Sequence, residues 1–175
     1  MRILSVALFL GVVSADADTN QIVSQLAKKL QCEPNPLNLT TLANGKKYFF
    51  SAFEVDWYEA RRFCESNKMH LAAPKTVEEL ALFFEETKKV TSPEACWWVW
   101  AMAASAGGRE SGEFWWGDGE VLAENSALWS GGDPNDAKKG KNVCVYVNNQ
   151  ANEKLRDYSC AEIQRFICQL PQYCY

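Results

Sequence analysis

Seven cysteines in a chain that begins with an apolar leader constrain the fold more than any other feature. Arg2 precedes an apolar run over residues 3–13, and Ala15-Asp16-Ala17 is a small-x-small cleavage signal. We predict a signal peptide over residues 1–17, a mature start at Asp18 with Ala15 as the alternative cleavage position, and a secreted, extracellular protein. In an oxidising compartment cysteines pair, so a disulfide-stabilised fold is expected.

Length and charge exclude several classes of protein. The chain of 175 residues has the length of one ordinary domain, which excludes a multidomain enzyme. Its net charge of −4 argues against a nucleic-acid partner, because phosphate binding needs clustered positive charge. The apolar leader has about half of the roughly 20 residues that a membrane span needs, so no span is predicted. A zinc site is excluded because the sequence has no Cys-x-x-Cys pair and a single histidine.

Residues 18–45 are interpreted as an N-terminal extension and residues 46–175 as the domain. In the extension, apolar residues at helical spacing predict barely two turns of helix, and Pro34 and Pro36 then interrupt the helical pattern. A docked or frayed lead-in is preferred to an oligomerising coiled coil, which would need three or four heptads. Asn38 begins a glycosylation sequon in this segment.

The domain reads as helices first and strands afterwards. Asp56-x-x-Glu59 and Thr76-x-x-Glu79 each resemble a capping box that opens a helix. The inward faces of these helices are predicted to carry Trp57, Ala60 and Cys64 in the first and Val77, Leu80 and Phe84 in the second. Strands are predicted over residues 47–52, 97–102, 113–116, 143–147 and 165–168. This order indicates an α+β fold with a mostly antiparallel sheet.

Two further expectations concern the strands and the loop between them. Alternation along a strand places Trp98 and Trp100 on one face and Trp97 and Val99 on the other. Most tryptophans are expected in the core, with Trp97 and Trp115 partly exposed. The stretch 117–142 is rich in Gly, Asp and Asn, and a long irregular loop in a compact domain tends to be functional.

An ordered series of motifs gives the chain its family resemblance. The series comprises Trp57, Ala60 and Cys64; Met69-His70-Leu71-Ala72; Trp98 to Ala101; Gly112-Glu113-Phe114-x-Trp116; Asp118-Gly119; Trp129-x-x-Gly132-Asp133-Pro134-Asn135; and Cys144, Cys160 and Cys168. With these motifs the chain resembles the C-type lectin-like domain family over about 120 residues. The resemblance implies an α+β, C-type lectin-like fold with two helices, small antiparallel sheets and a long irregular loop, stapled by disulfides.

The resemblance also implies how the cysteines pair. Cys64 would join Cys168 at the ends of the domain, and Cys144 would join Cys160 across the long loop. Because the termini of the family lie close together, Cys32 is expected to pair with Cys174. Cys96 is then left over, as a free thiol or as an intermolecular bridge to another protein.

Calcium is the cofactor that the resemblance implies, held by oxygen ligands in the long loop. The matching positions here are Asp133, Asn135, Asn142 and Asp157, and the Asp133–Pro134 peptide is expected to be cis. Arg156 stands where the family has an asparagine ligand. A guanidinium about 4 Å from a divalent ion would repel it by roughly 2 kcal/mol in water. The altered set therefore predicts weak calcium binding at most.

Other charged residues near the loop suggest a different chemistry. Arg156 and the cations Lys138, Lys139 and Lys141 are candidates for binding an anionic surface, such as a sulfated or sialylated glycan or an acidic protein patch. The tripeptide Glu33-Pro34-Asn35 matches a family ligand motif but lies in the extension, and it is interpreted as a turn or linker.

Recognition without catalysis is the predicted function. His70 lies in a stretch that the family uses structurally, and no catalytic residues are predicted. The leading hypothesis is a secreted protein that binds carbohydrate or a cell or microbe surface in innate defence, through a recognition loop over residues 117–157. The ligand-binding candidates are Asp133, Asn135, Asn142, Arg156 and Asp157. The alternative is a calcium-independent protein-binding or structural module on the same scaffold.

Overall fold

The computed structural model describes residues 17–32, 36–90, 95–103, 113–136, 142–148 and 154–174. The chain divides into two compact units, Met1–Glu33 and Pro34–Tyr175. The predicted signal peptide falls almost wholly outside the described residues, as does the tripeptide Glu33-Pro34-Asn35. Among the described helices, none has the length and apolar character that crossing a bilayer requires.

The first unit contributes one helix, α1, over Ala17–Cys32. It is longer than the two turns predicted, because the polar residues that flank the apolar stripe are themselves compatible with a helix. Ile22, Val23 and Leu26 are 56%, 59% and 55% exposed. Both interpretations of this segment, a lead-in and an oligomerising coil, stay predictions.

Two helices of the second unit begin where the sequence predicted. In α2, Trp57–Ser66, the Asp56 side chain accepts a hydrogen bond from the Glu59 backbone nitrogen at 2.8 Å. In α3, Val77–Val90, the Thr76 hydroxyl accepts from the Glu79 nitrogen at 3.2 Å. These contacts satisfy backbone N–H groups that have no partner within the helix.

The predicted inward face of α2 is confirmed, and that of α3 is partly wrong. Trp57, Ala60 and Cys64 are buried. In α3, Leu80 and Phe84 are buried but Val77 is 48% exposed, and Phe83 is fully buried instead. Val77 is the first helical residue, whereas Leu80, Phe83 and Phe84 follow the spacing of one helix face.

Nine strands are found in the described part of the chain. They are β1 Thr40–Thr41, β2 Lys47–Phe50, β3 His70–Leu71, β4 Cys96–Ala103, β5 Phe114–Trp116, β6 Val121–Leu122, β7 Val143–Asn148, β8 Lys154–Ser159 and β9 Arg165–Gln169. A short 3-10 helix, Gln172–Cys174, follows. All five predicted strands are present, and the pairing is antiparallel except between β4 and β9.

β4 lies at the centre of the sheet and pairs with β5, β7 and β9. β7 continues the sheet to β8, with Val145 opposite Asp157 and Tyr146 opposite Arg156. The sequence analysis assigned the first four residues of β8, 154–157, to the recognition loop, and that assignment is corrected here. Four of its six residues are polar or charged, so the apolar alternation that indicates a strand is faint.

The two faces of β4 supply two hydrophobic clusters. Trp97 and Val99 belong to one, and Trp98 and Trp100 to the other, which confirms the predicted alternation. The expected partial exposure of Trp97 is wrong, because its ring is covered by Arg165 at 5.6 Å and by Phe50 at 5.9 Å and is fully buried. Trp115 is half-buried, as predicted, and so is Trp100.

Disulfides join the segments that the resemblance implied. Cys64 of α2 is bonded to Cys168 of β9 across 104 residues, and Cys144 is bonded to Cys160 across 16. Cys32 and Cys174 are both disulfide-bonded cysteines. Cys96 is a free, half-buried thiol, and the Asn148 amide donates to its sulfur at 3.3 Å.

Candidate functional site

The predicted recognition loop runs along the edge of β8 that β7 leaves open. The Leu155 nitrogen donates to the Leu128 carbonyl at 2.8 Å, and the Ser130 nitrogen donates to the Leu155 carbonyl at 2.9 Å. Trp129 anchors this stretch, since its indole nitrogen donates to the Ala123 carbonyl at 2.9 Å. The backbone of 128–130 therefore covers the strand edge and carries the following residues past Arg156 and Asp157.

Asp157 holds the turn after Pro134. Its two carboxylate oxygens accept hydrogen bonds from the backbone nitrogens of Asn135, at 2.9 Å, and Asp136, at 2.8 Å. The residue is 3% exposed, and such charge-assisted bonds are among the stronger ones in proteins. The Asp133–Pro134 peptide is cis, as expected.

Asp133 is engaged through both of its carboxylate oxygens as well. Arg156 Nε donates to Oδ2 at 2.9 Å, and the Asn135 side-chain amide donates to Oδ1 at 2.7 Å. The Asp133 side chain is 2% exposed, whereas that of Arg156 is 40% exposed. Burial raises the pKa of the Asp133 carboxyl, and the hydrogen bond from Arg156 opposes that rise. The same hydrogen bond raises the pKa of Arg156.

Four of the five predicted ligand-binding residues are thus joined by hydrogen bonds. We refer to Asp133, Asn135, Arg156 and Asp157 as the loop cluster. Asn142 lies apart: it is exposed, and its carbonyl accepts from the Cys160 nitrogen at 3.0 Å. Asn142 lies three residues before Val145, which pairs with Asp157. Three residues span about 10 Å along a strand. Lys138, Lys139 and Lys141 lie outside the described residues.

The loop cluster does not fit calcium. Calcium takes six to eight oxygen ligands, preferably charged ones. Here both oxygens of Asp157 accept backbone N–H groups, and Asp133 accepts the Arg156 guanidinium, so a metal ion beside Asp133 would lie against a fixed positive charge. Within the described ranges no group of three or more His, Cys, Asp or Glu side chains could hold a metal ion.

Tyr146 is a neighbour of this cluster that the sequence analysis did not single out. It lies opposite Arg156 in the sheet and packs edge-on against Trp98, with ring centroids 6.0 Å apart. Burial raises the pKa of Tyr146 to about 12, although the charge of Arg156 opposes the shift. The phenol is therefore neutral at physiological pH. Tyr146 could have been identified only from the pairing of β7 with β8, and the sequence analysis did not predict β8.

Comparison with known sequences agrees with the fold and the motifs. The Lectin C-type domain family matches residues 54–170. Mouse L-selectin is 29% identical over 126 residues, which cover 69% of this chain and 31% of L-selectin. Mouse C-type lectin domain family 4 member K is 25% identical over 130 residues, 73% of this chain and 36% of that protein. The chain spans about a third of the length of these relatives.

Solved structures share the architecture. The C-type lectin TC14 from the tunicate Polyandrocarpa misakiensis superposes with a TM-score of 0.62 at 23% identity, over 72% of this chain and 98% of TC14. The carbohydrate-recognition domain of the mouse scavenger receptor C-type lectin gives 0.58 at 28% identity, over 79% and 94%. The family match covers most of the second unit, and the disulfides Cys64–Cys168 and Cys144–Cys160 pair as the resemblance implied. The chain therefore belongs to the C-type lectin domain family.

Proposed function

We propose that this protein is a secreted recognition protein that binds carbohydrate or the surface of a cell or microbe without calcium, in innate defence. Membership of the C-type lectin domain family supports ligand recognition in general. One of the similar structures is described as a carbohydrate-recognition domain. The apolar leader supports secretion, and the exposed Asn38 supports glycosylation of an extracellular chain.

The observation that carries the calcium-independent part of this proposal is the ion pair between Arg156 and Asp133. Nε of Arg156 donates to an oxygen of a carboxylate whose side chain is 2% exposed. A guanidinium is always charged at physiological pH and cannot act as a metal ligand. It therefore supplies, from within the chain, the positive charge that balances Asp133, and the turn needs no metal ion to keep its shape.

The same arginine indicates the kind of ligand that the loop prefers. Its side chain is 40% exposed and uses Nε for Asp133, which leaves its Nη groups able to donate to an anion. Lys138, Lys139 and Lys141 lie between Asn135 and Arg156 in the sequence and add positive charge. A sulfated or sialylated glycan fits this charge, and so does an acidic protein patch.

Cys96 favours a second candidate function, a calcium-independent protein-binding module. The thiol is free and half-buried, and burial raises its pKa, so it is mostly protonated at neutral pH. In an oxidising compartment it remains able to bridge to another protein. Electrophoresis with and without reductant tests the bridge through Cys96, and a monomer under both conditions contradicts that bridge.

A glycan array probed in calcium and again in excess chelator tests the main proposal. We expect binding to anionic glycans that the chelator does not change. Binding to neutral mannose glycans that the chelator abolishes would contradict the proposal. Binding to no glycan under either condition would favour the protein-binding module.

A further inference from the structure

Three side chains project in a row from one face of β8. Burial alternates along this strand, and Leu155 and Asp157 on its other face are buried. Lys154 and Arg156 are half-buried, and Tyr158 is 46% exposed. Side chains two residues apart on a strand are separated by about 7 Å, so the row extends over about 13 Å. We refer to Lys154, Arg156 and Tyr158 as the strand row.

Each member of the strand row keeps a polar group that a ligand can reach. Arg156 uses Nε for Asp133, and its side chain is 40% exposed, so both of its Nη groups remain able to donate. Within the described part of the chain, neither the Lys154 ammonium nor the Tyr158 hydroxyl has a side-chain partner. The strand row therefore presents two cations and one hydroxyl in a line.

The same face of β7 carries no carboxylate that would repel an anion. The residues opposite the strand row are Asn148, Tyr146 and Cys144. Tyr146 is neutral at physiological pH, because burial raises its pKa to about 12. Asp133 offsets part of the charge of Arg156, but the Asp133 side chain is 2% exposed and is not accessible to a ligand on this face. The charge of the strand row therefore favours an anionic ligand.

The edges of β8 favour a polysaccharide over a peptide as that ligand. An extended peptide binds a sheet by pairing its backbone with an open strand edge. Here β7 pairs with all six residues of β8, and the backbone of 128–130 occupies the other edge at Leu155. A ligand on this face therefore meets side chains only. The negative groups and hydroxyls of an acidic polysaccharide match such side chains without any backbone pairing.

We propose that the strand row binds an internal stretch of a linear acidic polysaccharide. Negative groups of the polysaccharide contact Arg156 and Lys154, and a sugar oxygen accepts a hydrogen bond from the Tyr158 hydroxyl. This inference rests on the function proposed above and deepens it, because the ligand is a chain of acidic sugars along the strand and not a terminal sugar in the loop. Arg156 is already held by Asp133, which lowers the entropy cost of binding.

Calorimetric titration with heparin fragments of two and six sugars, in excess chelator, tests the proposal. We expect the longer fragment to bind about tenfold more tightly, because two sugars do not span the strand row. The affinity for the longer fragment should also fall as salt is added, since salt screens exposed charges.

Matched variants test the residues of the strand row. Lys154→Gln is expected to weaken binding of the longer fragment about fivefold, and Lys154→Arg is expected to retain it. Lys89→Gln is the control, because it removes the same charge from a side chain on α3 that is 67% exposed, and it should leave the affinity unchanged. Tyr158→Phe should weaken binding about threefold, whereas Tyr173→Phe, at a residue that is 52% exposed, should not.

The outcomes separate this proposal from the function proposed above. Equal affinity of wild type and Lys154→Gln for the longer fragment would overturn the strand row, and so would equal affinity for two and six sugars. Binding of sialyllactose, which carries one carboxylate on a terminal sugar, without binding of heparin would overturn the strand row and leave the proposed function standing. Binding of polyglutamate without binding of heparin would overturn the proposal in favour of an acidic protein. No binding of any anionic glycan would overturn both.

Discussion

At the scale of single residues, Arg156 determines the chemistry of the recognition loop. A metal ion can leave a site when a chelator or an acidic compartment removes it, whereas a guanidinium is covalently part of the chain. Its bond to Asp133 joins β8 to the loop across 23 residues. The loop cluster is therefore organised before any ligand arrives, and this lowers the entropy cost of binding.

Arg156→Ala is expected to lower the free energy of unfolding by about 1–2 kcal/mol. The variant leaves the buried Asp133 carboxylate without its cation, although Asn135 still donates to it. Urea unfolding of wild type and variant measures the change. Arg62→Ala, which removes an exposed arginine paired at 3.8 Å, is the control and should change stability by less than about 0.5 kcal/mol. Equal unfolding free energies for Arg156→Ala and wild type would contradict the structural role given to Arg156.

His70 gives a second prediction at this scale, because it is the only histidine in the chain. Burial lowers its pKa from 6.5, despite the hydrogen bond to the Leu71 carbonyl. The unfolded chain then binds more protons than the folded one below pH 6.5. The stability that neutral His70 contributes is complete above pH 6.5 and is lost as the pH falls through the folded-state pKa.

NMR titration of this single imidazole checks the prediction directly. We expect a midpoint below pH 6.5 and a fall in unfolding free energy between pH 6.5 and that midpoint. In His70→Gln this part of the pH dependence should vanish. A midpoint above 6.5 would contradict the burial of the ring against Trp100.

Individual residues of the site could be predicted only in part. The family motifs brought Asp133, Asn135 and Asp157 together, and hydrogen bonds join them, although Asp157 lies in β8 and not in the loop. The sequence identified Arg156 as incompatible with a metal, but it could not show which carboxylate Arg156 binds. The predicted partial exposure of Trp97 was wrong because it depends on neighbours from distant segments, such as Arg165 over its ring. The predicted burial of Val77 was wrong because Val77 is the first residue of α3.

At the scale of elements, β8 and the segment alongside it behave as one structure. Leu155 exchanges backbone hydrogen bonds with Leu128 and Ser130, and Asp157 then captures the amides of Asn135 and Asp136. The helices could be predicted because their caps are local signals. The strand β8 could not be predicted from its own residues. Its polar side chains do not follow the apolar alternation of a strand, and only the loop that packs along its edge explains them.

Asp157→Asn tests the link between the strand and the loop. An amide offers one acceptor oxygen, so one of the two backbone N–H groups would meet an NH₂ group instead. We expect a loss of about 1–3 kcal/mol in unfolding free energy. Hydrogen exchange should also become faster at the amides of Asn135 and Asp136, while that of β9 should follow only the global stability. Unchanged exchange at both amides would contradict the role given to Asp157.

At the scale of the whole molecule, the disulfides and the two clusters on β4 hold the domain together. The positions of the cysteines and the ordered motifs were enough to predict the fold, because they fix which segments meet. They were not enough to predict how Trp100 packs, which depends on the close approach of Gly117 to its indole. That approach is a property of packing between β4 and the turn after β5.

Replacing Cys64 and Cys168 together by alanine should cost about 4–5 kcal/mol of unfolding free energy, because their bond closes a loop of 104 residues. Replacing Cys144 and Cys160, which are 16 residues apart, should cost roughly 3 kcal/mol. Chemical denaturation of both double variants measures the two values. A larger loss for the shorter loop would show that the second bridge stabilises the recognition loop by more than chain entropy.

Isothermal titration of the folded protein with calcium tests most directly the claim that Arg156 takes the place of a metal ion. Arg156→Asn is titrated beside the wild type, because it restores an oxygen ligand and removes the positive charge. We predict no saturable binding to wild type up to about 5 mM calcium, and measurable binding to Arg156→Asn. One-site binding to the wild type at submillimolar calcium would contradict the claim.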